Sequence, residues 1–157
     1  METETNSSRL EKVVIQTGGK SVHGYLEMRE WNTIEDILGT PLFSSIERLR
    51  IRRPDSDFVE EIPISDVKAV FYVNSFEGDP THAAINFHTR TPIVHGIWIR
   101  LEFLDGEVME GIVHNSIRYL VDSGFFLLPT DPASNNKLVY VLKKWIVDHR
   151  VLGLRNL

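Results

Sequence analysis

Two short glycine-containing turns, one in each half of the chain, constrain the fold more than any other feature of this sequence. Gly18-Gly19 separates the β-branched run at residues 12–16 from a polar-apolar segment at 20–27. Asp105-Gly106 separates two apolar segments in the same way. Dipeptides of this kind between two such segments are typical of β-hairpins. The sequence therefore predicts one hairpin near the start of each half.

A second glycine follows each turn at the same distance. Gly24 comes five residues after Gly19, and Gly111 comes five residues after Gly106. A glycine inside a strand marks a bulge or a sharp bend, which lets one long strand serve both sheets of a small barrel. Because later apolar segments also recur in the same order, we interpret the chain as a tandem repeat with about five short strands in each half.

Between the hairpins, the first half contains three further signals. Residues 31–40 predict a short helix, because Asn32 or Thr33 can cap its start and Gly39 can cap its end. Residues 47–53 alternate between apolar and basic side chains, which predicts a strand with one exposed face. Pro63 lies within the apolar segment at residues 58–64, and it predicts that this segment is an edge strand of its sheet.

The order of these segments resembles the Sm-like barrel, in which a strand, a turn and a bent strand with a glycine open the sheet, as at residues 103–111. We therefore expect a mostly β protein made of two tandem small Sm-like or SH3-like barrels or bent sheets, with one short helical insert in the first half. The expected boundaries are a disordered N-terminus at 1–10, a first half at 11–80, a linker at 81–95 and a second half at 96–157.

Three motifs are similar to those of an uncharacterised bacterial domain family that carries two such half-units. They are VKAVFYVNSFEGD at residues 67–79, FLDGEV at 103–108 and FFLLPTDPASNN at 125–136. The resemblance implies the fold and a bacterial origin, and it brings no activity with it. Gly18-Gly19 stands where the family pattern has an Asp-Gly turn, and the helical insert is longer than the pattern implies.

Composition limits the cellular compartment and the classes of ligand to be expected. The 157 residues include no cysteine, which excludes disulfides and thiolate metal sites and favours a cytoplasmic protein. No apolar run approaches the length of a membrane helix, so no membrane association is expected. The net charge of -5 means that nucleic-acid binding would need a local basic patch.

No residue pattern indicates catalysis. The six histidines lack the close spacing of a zinc site, and neither a nucleophile elbow nor a phosphate-binding glycine loop is present in the sequence. We therefore expect no enzyme, no cofactor and no metal. A catalytic alternative would require a pocket that assembles scattered residues such as Asp131, His114 and Asn136.

Two groups of residues are candidates for binding. The first is the basic stripe Arg48, Arg50, Arg52 and Arg53, which either forms a solvated strand face paired with nearby glutamates or offers guanidinium groups to phosphate. The second is the polar turn with Asp131, Asn135 and Asn136, which either bonds its own backbone or presents these side chains to a ligand. This turn lies between two apolar strands.

The leading functional interpretation is a non-enzymatic binding or adaptor module with a protein partner, including self-association into a homo-oligomer through exposed sheet edges. The alternative is RNA or cyclic-nucleotide binding through the basic strand face. Arg48 and Arg52 have the spacing of the arginine motif of PilZ domains, although Asn74-Ser75 departs from that family's second motif. For RNA, the aromatic rings that could stack on bases are Phe125, Phe126, Tyr140 and Trp145.

Overall fold

A computed structural model describes residues 8–29, 47–76, 96–115, 117–130 and 135–155. The helix predicted at residues 31–40, the linker predicted at 81–95 and the side chain of Asp131 lie outside these ranges. The described residues form ten strands, two single 3₁₀ turns and one short helix. The prediction of a mostly β protein is confirmed.

The first half contains five strands. They are β1 (Ser8–Thr17), β2 (Ser21–Arg29), β3 (Arg48–Arg52), β4 (Val59–Pro63) and β5 (Val67–Val73). A 3₁₀ turn at Ile64–Asp66 connects β4 to β5. β1 begins within the segment that the sequence assigned to a disordered N-terminus.

The second half also contains five strands. They are β6 (Gly96–Phe103), β7 (Val108–His114), β8 (Gly124–Pro129), β9 (Asn136–Leu142) and β10 (Ile146–Arg155). A 3₁₀ turn at Lys143–Trp145 connects β9 to β10. The helix α1 (Ile117–Val121) lies between β7 and β8, where the sequence analysis predicts none.

All ten strands belong to one antiparallel sheet in the order β10-β6-β7-β8-β9-β5-β1-β2-β3-β4. Each half has the same internal order, because its first strand pairs with its second and its fifth strand. The halves are joined where β9 pairs with β5. Among the described strands the sheet does not close, and β4 and β10 are its two ends.

The sheet carries a hydrophobic core on each face. Alternate residues of β5 enter different cores, with Val70 and Tyr72 in one and Ala69, Phe71 and Val73 in the other. Successive residues of a strand point to opposite faces, so the two cores lie on opposite sides of β5. A strand that is buried on both faces favours apolar residues on both, which explains why residues 67–73 are apolar except for Lys68.

Gly24 and Gly111 occupy matching places in the two halves. A Cβ atom at Gly24 would lie 2.6 Å from the carbonyl oxygen of Arg52, and one at Gly111 would lie 2.7 Å from that of Leu128. No register shift interrupts the β1–β2 or the β6–β7 pairing. These glycines therefore mark a close approach of the neighbouring strand, and not a bulge.

Bulges occur instead at the start of the fifth strand of each half. The pairing of β1 with β5 passes from Gln16–Ala69 to Thr17–Val67 and skips Lys68. The pairing of β6 with β10 skips Val147 in the same way. Both bulges fall on the second residue after the 3₁₀ turn, so the two halves share this irregularity as well as their strand order.

Candidate interaction surface

The basic residues of β3 lie on the outer face of the sheet. Leu49 is 2% exposed and Ile51 is 0% exposed, and both belong to the core. Arg48 and Arg50, on either side of Leu49 in sequence, have side chains that are 62% and 73% exposed. The predicted alternation of β3 is confirmed, with Arg48, Arg50 and Arg52 on its exposed face.

Glutamates of β4 lie beside these arginines. Arg50 is opposite Glu61 in the β3–β4 pairing, and its Nε lies 3.7 Å from a carboxylate oxygen of Glu61. Arg48 lies 3.9 Å from the same carboxylate. Arg53 lies 2.9 Å from Glu60, which also lies 3.4 Å from the Nζ of Lys20. Three of the four arginines therefore lie beside these glutamates, as in the first of the two alternatives for the arginine stripe.

The aromatic rings that could stack on RNA bases are inside the protein. Phe125 is 6% exposed, Phe126 is 1% exposed and Tyr140 is 2% exposed. Trp145 is half-buried and packs against both cores. The rings therefore fill the cores, and base stacking on Phe126 or Tyr140 is excluded in this fold.

Asn135 joins the start of β9 to the end of β5. Its side-chain amide donates a hydrogen bond to the carbonyl of Ser75 at 2.7 Å, and its Oδ1 accepts one from the N–H of Ser75 at 3.2 Å. The N–H of Asn74 donates to the carbonyl of Asn135 at 3.0 Å. Asn136 continues this junction, because it is opposite Val73 in the β9–β5 pairing.

Two ends of the sheet are open in the part of the chain that the structure describes. β10 is ten residues long and pairs with β6 alone, and β4 pairs with β3 alone. Large apolar side chains are exposed along both ends. They are Phe58 and Val59 next to or in β4, and Val147, Val151, Leu152 and Leu154 in β10. The edge position predicted from Pro63 is confirmed, whereas no residue signal predicted the open edge of β10.

A groove of about 400 Å³ runs beside the β4 end of the sheet. The β1–β2 turn at Gly18 forms one wall, Glu60 and Ile62 of β4 form another, and Trp145 lies at its end. The groove therefore widens the surface that a partner at this edge would meet.

Both cores and nearly all strand residues lie within the match to a sequence family. A family model described as a family of unknown function matches residues 9–153, which overlaps all ten strands and leaves out only Ser8 of β1 and Leu154 and Arg155 of β10. The chain belongs to the DUF6982 family. No curated protein and no solved structure matches it.

The described part of this DUF6982 chain contains neither a group of metal ligands nor a membrane-spanning helix. Within the described ranges no three histidine, aspartate or glutamate side chains are grouped closely enough to hold a metal ion. None of the described helices is both long and apolar enough to cross a membrane. Two members of the catalytic alternative, His114 and Asn136, lie on β7 and β9, which β8 separates.

The residues of the β10 edge are what sequence reasoning missed. Val151, Leu152 and Leu154 are apolar residues on both faces of one strand, a pattern that also fits a strand buried on both faces. Because β5 has this pattern and is buried, the sequence does not distinguish the two cases. Only the strand order shows that β10 lies at an end of the sheet.

Proposed function

We propose that this DUF6982 protein is a non-enzymatic binding module that recruits a protein partner by adding a strand to an open edge of its sheet. The observation that carries the proposal is β10, an end strand of ten residues. Val151 on this strand is 62% exposed and Leu154 is 68% exposed. An edge strand presents unpaired backbone N–H and C=O groups, and exposed apolar side chains beside them give a partner strand additional contact area.

The duplication supports this proposal at the level of the fold. Each half has the strand order fifth, first, second, third, fourth, with a 3₁₀ turn before the fifth strand. This arrangement, together with the matched glycines and bulges, favours two tandem small units of the Sm-like or SH3-like kind. Because each such unit ends in a fourth and a fifth strand with one open side, pairing at these sides is the natural way for it to bind another strand.

The absence of cysteine in the sequence is consistent with a cytoplasmic location, where disulfides do not persist. We extend the proposal to a partner in that compartment. The bacterial origin that the motif resemblance implies places the relevant assay in a bacterial cell.

The test is a crosslinked pull-down from the native cell with edge variants. V151K and L154K add a charge to the open edge of β10, which should discourage strand addition. V108K is the matched control, because Val108 is 47% exposed and lies on β7, an interior strand. We expect V108K to retain the captured protein and the two β10 variants to lose most of it.

The same eluate should be assayed for RNA and small nucleotides. Protein capture that is equally strong in V151K, L154K and V108K would contradict recruitment at the β10 edge. Recovery of RNA or nucleotide in place of protein would favour the alternative function at the arginine stripe.

A further inference from the structure

We infer that the strand added at the open edges is supplied by a second copy of this chain, with β10 of one copy pairing with β4 of the next. This inference rests on the proposed function, because it uses the same open edges. The chain already contains the joint that such an assembly needs. β9, the fourth strand of the second half, pairs with β5, the fifth strand of the first half. Among the described strands, the two left open are the remaining fourth strand, β4, and the remaining fifth strand, β10.

The 3₁₀ turns fix which residues of the two joints correspond. Each turn has three residues and lies directly between the fourth and fifth strands of its half. Counted back from the turns, Val59 corresponds to Leu138 and Glu60 to Val139. Counted forward, the fifth strands correspond in the same manner, and the shared bulge confirms this alignment. Val151 thus corresponds to Tyr72.

The internal joint then predicts the register between copies. Leu138 is opposite Tyr72 within the chain, so Val59 of one copy should be opposite Val151 of the next. Both valines are exposed in the single chain, at 37% and 62%. Opposed valines at an edge bury apolar surface on both strands, so this pair should contribute to association.

The residue pairs next to the two valines affect the register between the two copies more than the affinity between them. Val139 is opposite Phe71 within the chain, which places Glu60 of one copy opposite Arg150 of the next. Arg150 lies opposite Arg100 on its own sheet and its Nε already lies 2.9 Å from Asp148, so a carboxylate on its open side adds only a small further offset to the like-charge repulsion. Glu60 already lies near Arg53, so the new ion pair adds little free energy. Asp148 falls opposite Ile62 and contributes nothing favourable.

The joint between copies should be weaker than the joint within the chain. At the internal joint the outer face of β8 and β9 carries Phe126 and Tyr140, which the first half buries. The corresponding positions on β3 and β4 are Arg50 and Glu61, which are exposed. The second copy therefore gains backbone pairing and the valine contact without a large apolar core. Association that depends on protein concentration follows from this difference.

The assembly is head-to-tail, since each copy offers one β4 and one β10. Contacts of this kind do not end at a dimer, and they continue until the chain of copies closes on itself or extends. We therefore expect species of more than two copies in sedimentation at high protein concentration.

Site-specific disulfides test the register directly, because the chain has no cysteine of its own. Tagged V59C is mixed with untagged V151C under mild oxidation. Directly opposed Cβ atoms lie about 4.5–5.5 Å apart, which is within reach of a disulfide after a small adjustment. The control mixture is V59C with L154C, whose cysteine lies roughly 10 Å farther along the strand. We expect a mixed disulfide with V151C at least tenfold more abundant than with L154C.

Three results would overturn the inference. The first is a V151C disulfide formed mainly with itself, which would indicate a symmetric β10–β10 contact. The second is an equally strong crosslink to L154C, and the third is a monomer at every concentration with no mixed disulfide. If the chain stays monomeric while V151K still abolishes capture of another protein, the result supports binding at the β10 edge and contradicts self-assembly. If V151K and V108K capture that protein equally, the result contradicts the proposed function as well.

Discussion

The ammonium group of Lys68 lies 2.7 Å from the carboxylate of Asp105, across the boundary between the two halves. The same ammonium lies 2.6 Å from Glu107 and 4.6 Å from the centre of the Phe103 ring. The Lys68 side chain is 2% exposed, whereas the two carboxylates are 48% and 39% exposed. Burial by itself lowers the pKa of Lys68, and the hydrogen bonds to both carboxylates outweigh it and raise that pKa overall. Lys68 therefore stays charged and fastens the β6–β7 hairpin to β5.

Removing the two sides of this contact should have unequal effects. The K68M variant keeps the apolar stem and leaves both carboxylates with access to water, so we expect its free energy of unfolding to change by less than about 1 kcal/mol. The D105N/E107Q variant leaves a nearly buried ammonium without a counter-charge, which is the more costly case. Urea denaturation of both variants measures the difference. Equal destabilisation by the two would show that the contact is no more than a surface ion pair.

His149 should make the stability depend on pH just below neutrality. Its imidazole hydrogen-bonds to the hydroxyl of Tyr119, and burial lowers the pKa of His149 below its ordinary value of 6.5. The unfolded chain therefore takes up a proton at this residue at a higher pH than the folded chain does. The contribution of His149 to the free energy of unfolding should be fully present above pH 6.5. It should be lost as the pH decreases from 6.5 through the pKa of His149 in the folded protein.

The H149Q variant should lose this part of the pH dependence between pH 7.5 and pH 5.5, because glutamine does not titrate. The control is H23Q, since His23 is a histidine of the other half, on β2, whereas His149 contacts Tyr119. The measurement is the denaturant concentration at the midpoint of unfolding, for the parent and both variants at pH 7.5 and pH 5.5. An unchanged slope in H149Q, or an equal change in H23Q, would contradict the assignment to His149.

The matched glycines predict a matched pair of destabilised variants. G24A and G111A each place a Cβ atom against a backbone carbonyl of the next strand, at 2.6 Å and 2.7 Å. Overpacking of this kind costs about 1–3 kcal/mol. At Gly19 a Cβ atom meets no described atom within 4 Å, so G19A should stay within about 0.5 kcal/mol of the parent. Thermal unfolding of the three variants is the measurement, and a loss in G19A equal to that in G24A would refute the close-approach explanation.

The sequence predicted the strands of this protein better than their arrangement. Residues 67–73, the alternation of β3 and the edge signal of Pro63 depend on local patterns, and each was found where it was predicted. The joint of β9 with β5 depends on contacts between residues far apart in the chain, for which no local pattern exists. Phe126 and Tyr140 show the consequence, because their outward-facing positions in the second half are buried by the first.

The helix α1 and the roles of the polar turn escaped prediction for a related reason. A five-residue helix lacks the periodicity that identifies a longer one. Asn135 was a candidate for a ligand, and its side chain instead binds the backbone of Ser75, whose position the sequence does not specify. The alternation of the arginine stripe was predicted and found, with Arg48 and Arg50 exposed beside Glu61, but the pattern alone does not say what else contacts this face.

The arginine stripe provides the test between the leading function and its alternative. If the stripe binds phosphate, the double variant R50A/R52A should weaken RNA or nucleotide binding, and the dependence of that binding on salt should become less steep. Glu61 lies 3.7 Å from Arg50 and reduces the positive potential of this face, so we expect the parent protein to show only weak, salt-sensitive binding of single-stranded RNA. The E61Q variant should strengthen that binding by removing the carboxylate. Fluorescence anisotropy with labelled RNA at two salt concentrations measures all three proteins, with R100A as a control for an exposed arginine of the other half. Tight binding by the parent that R50A/R52A abolishes and R100A leaves intact would make the arginine stripe, and not the β10 edge, the functional surface.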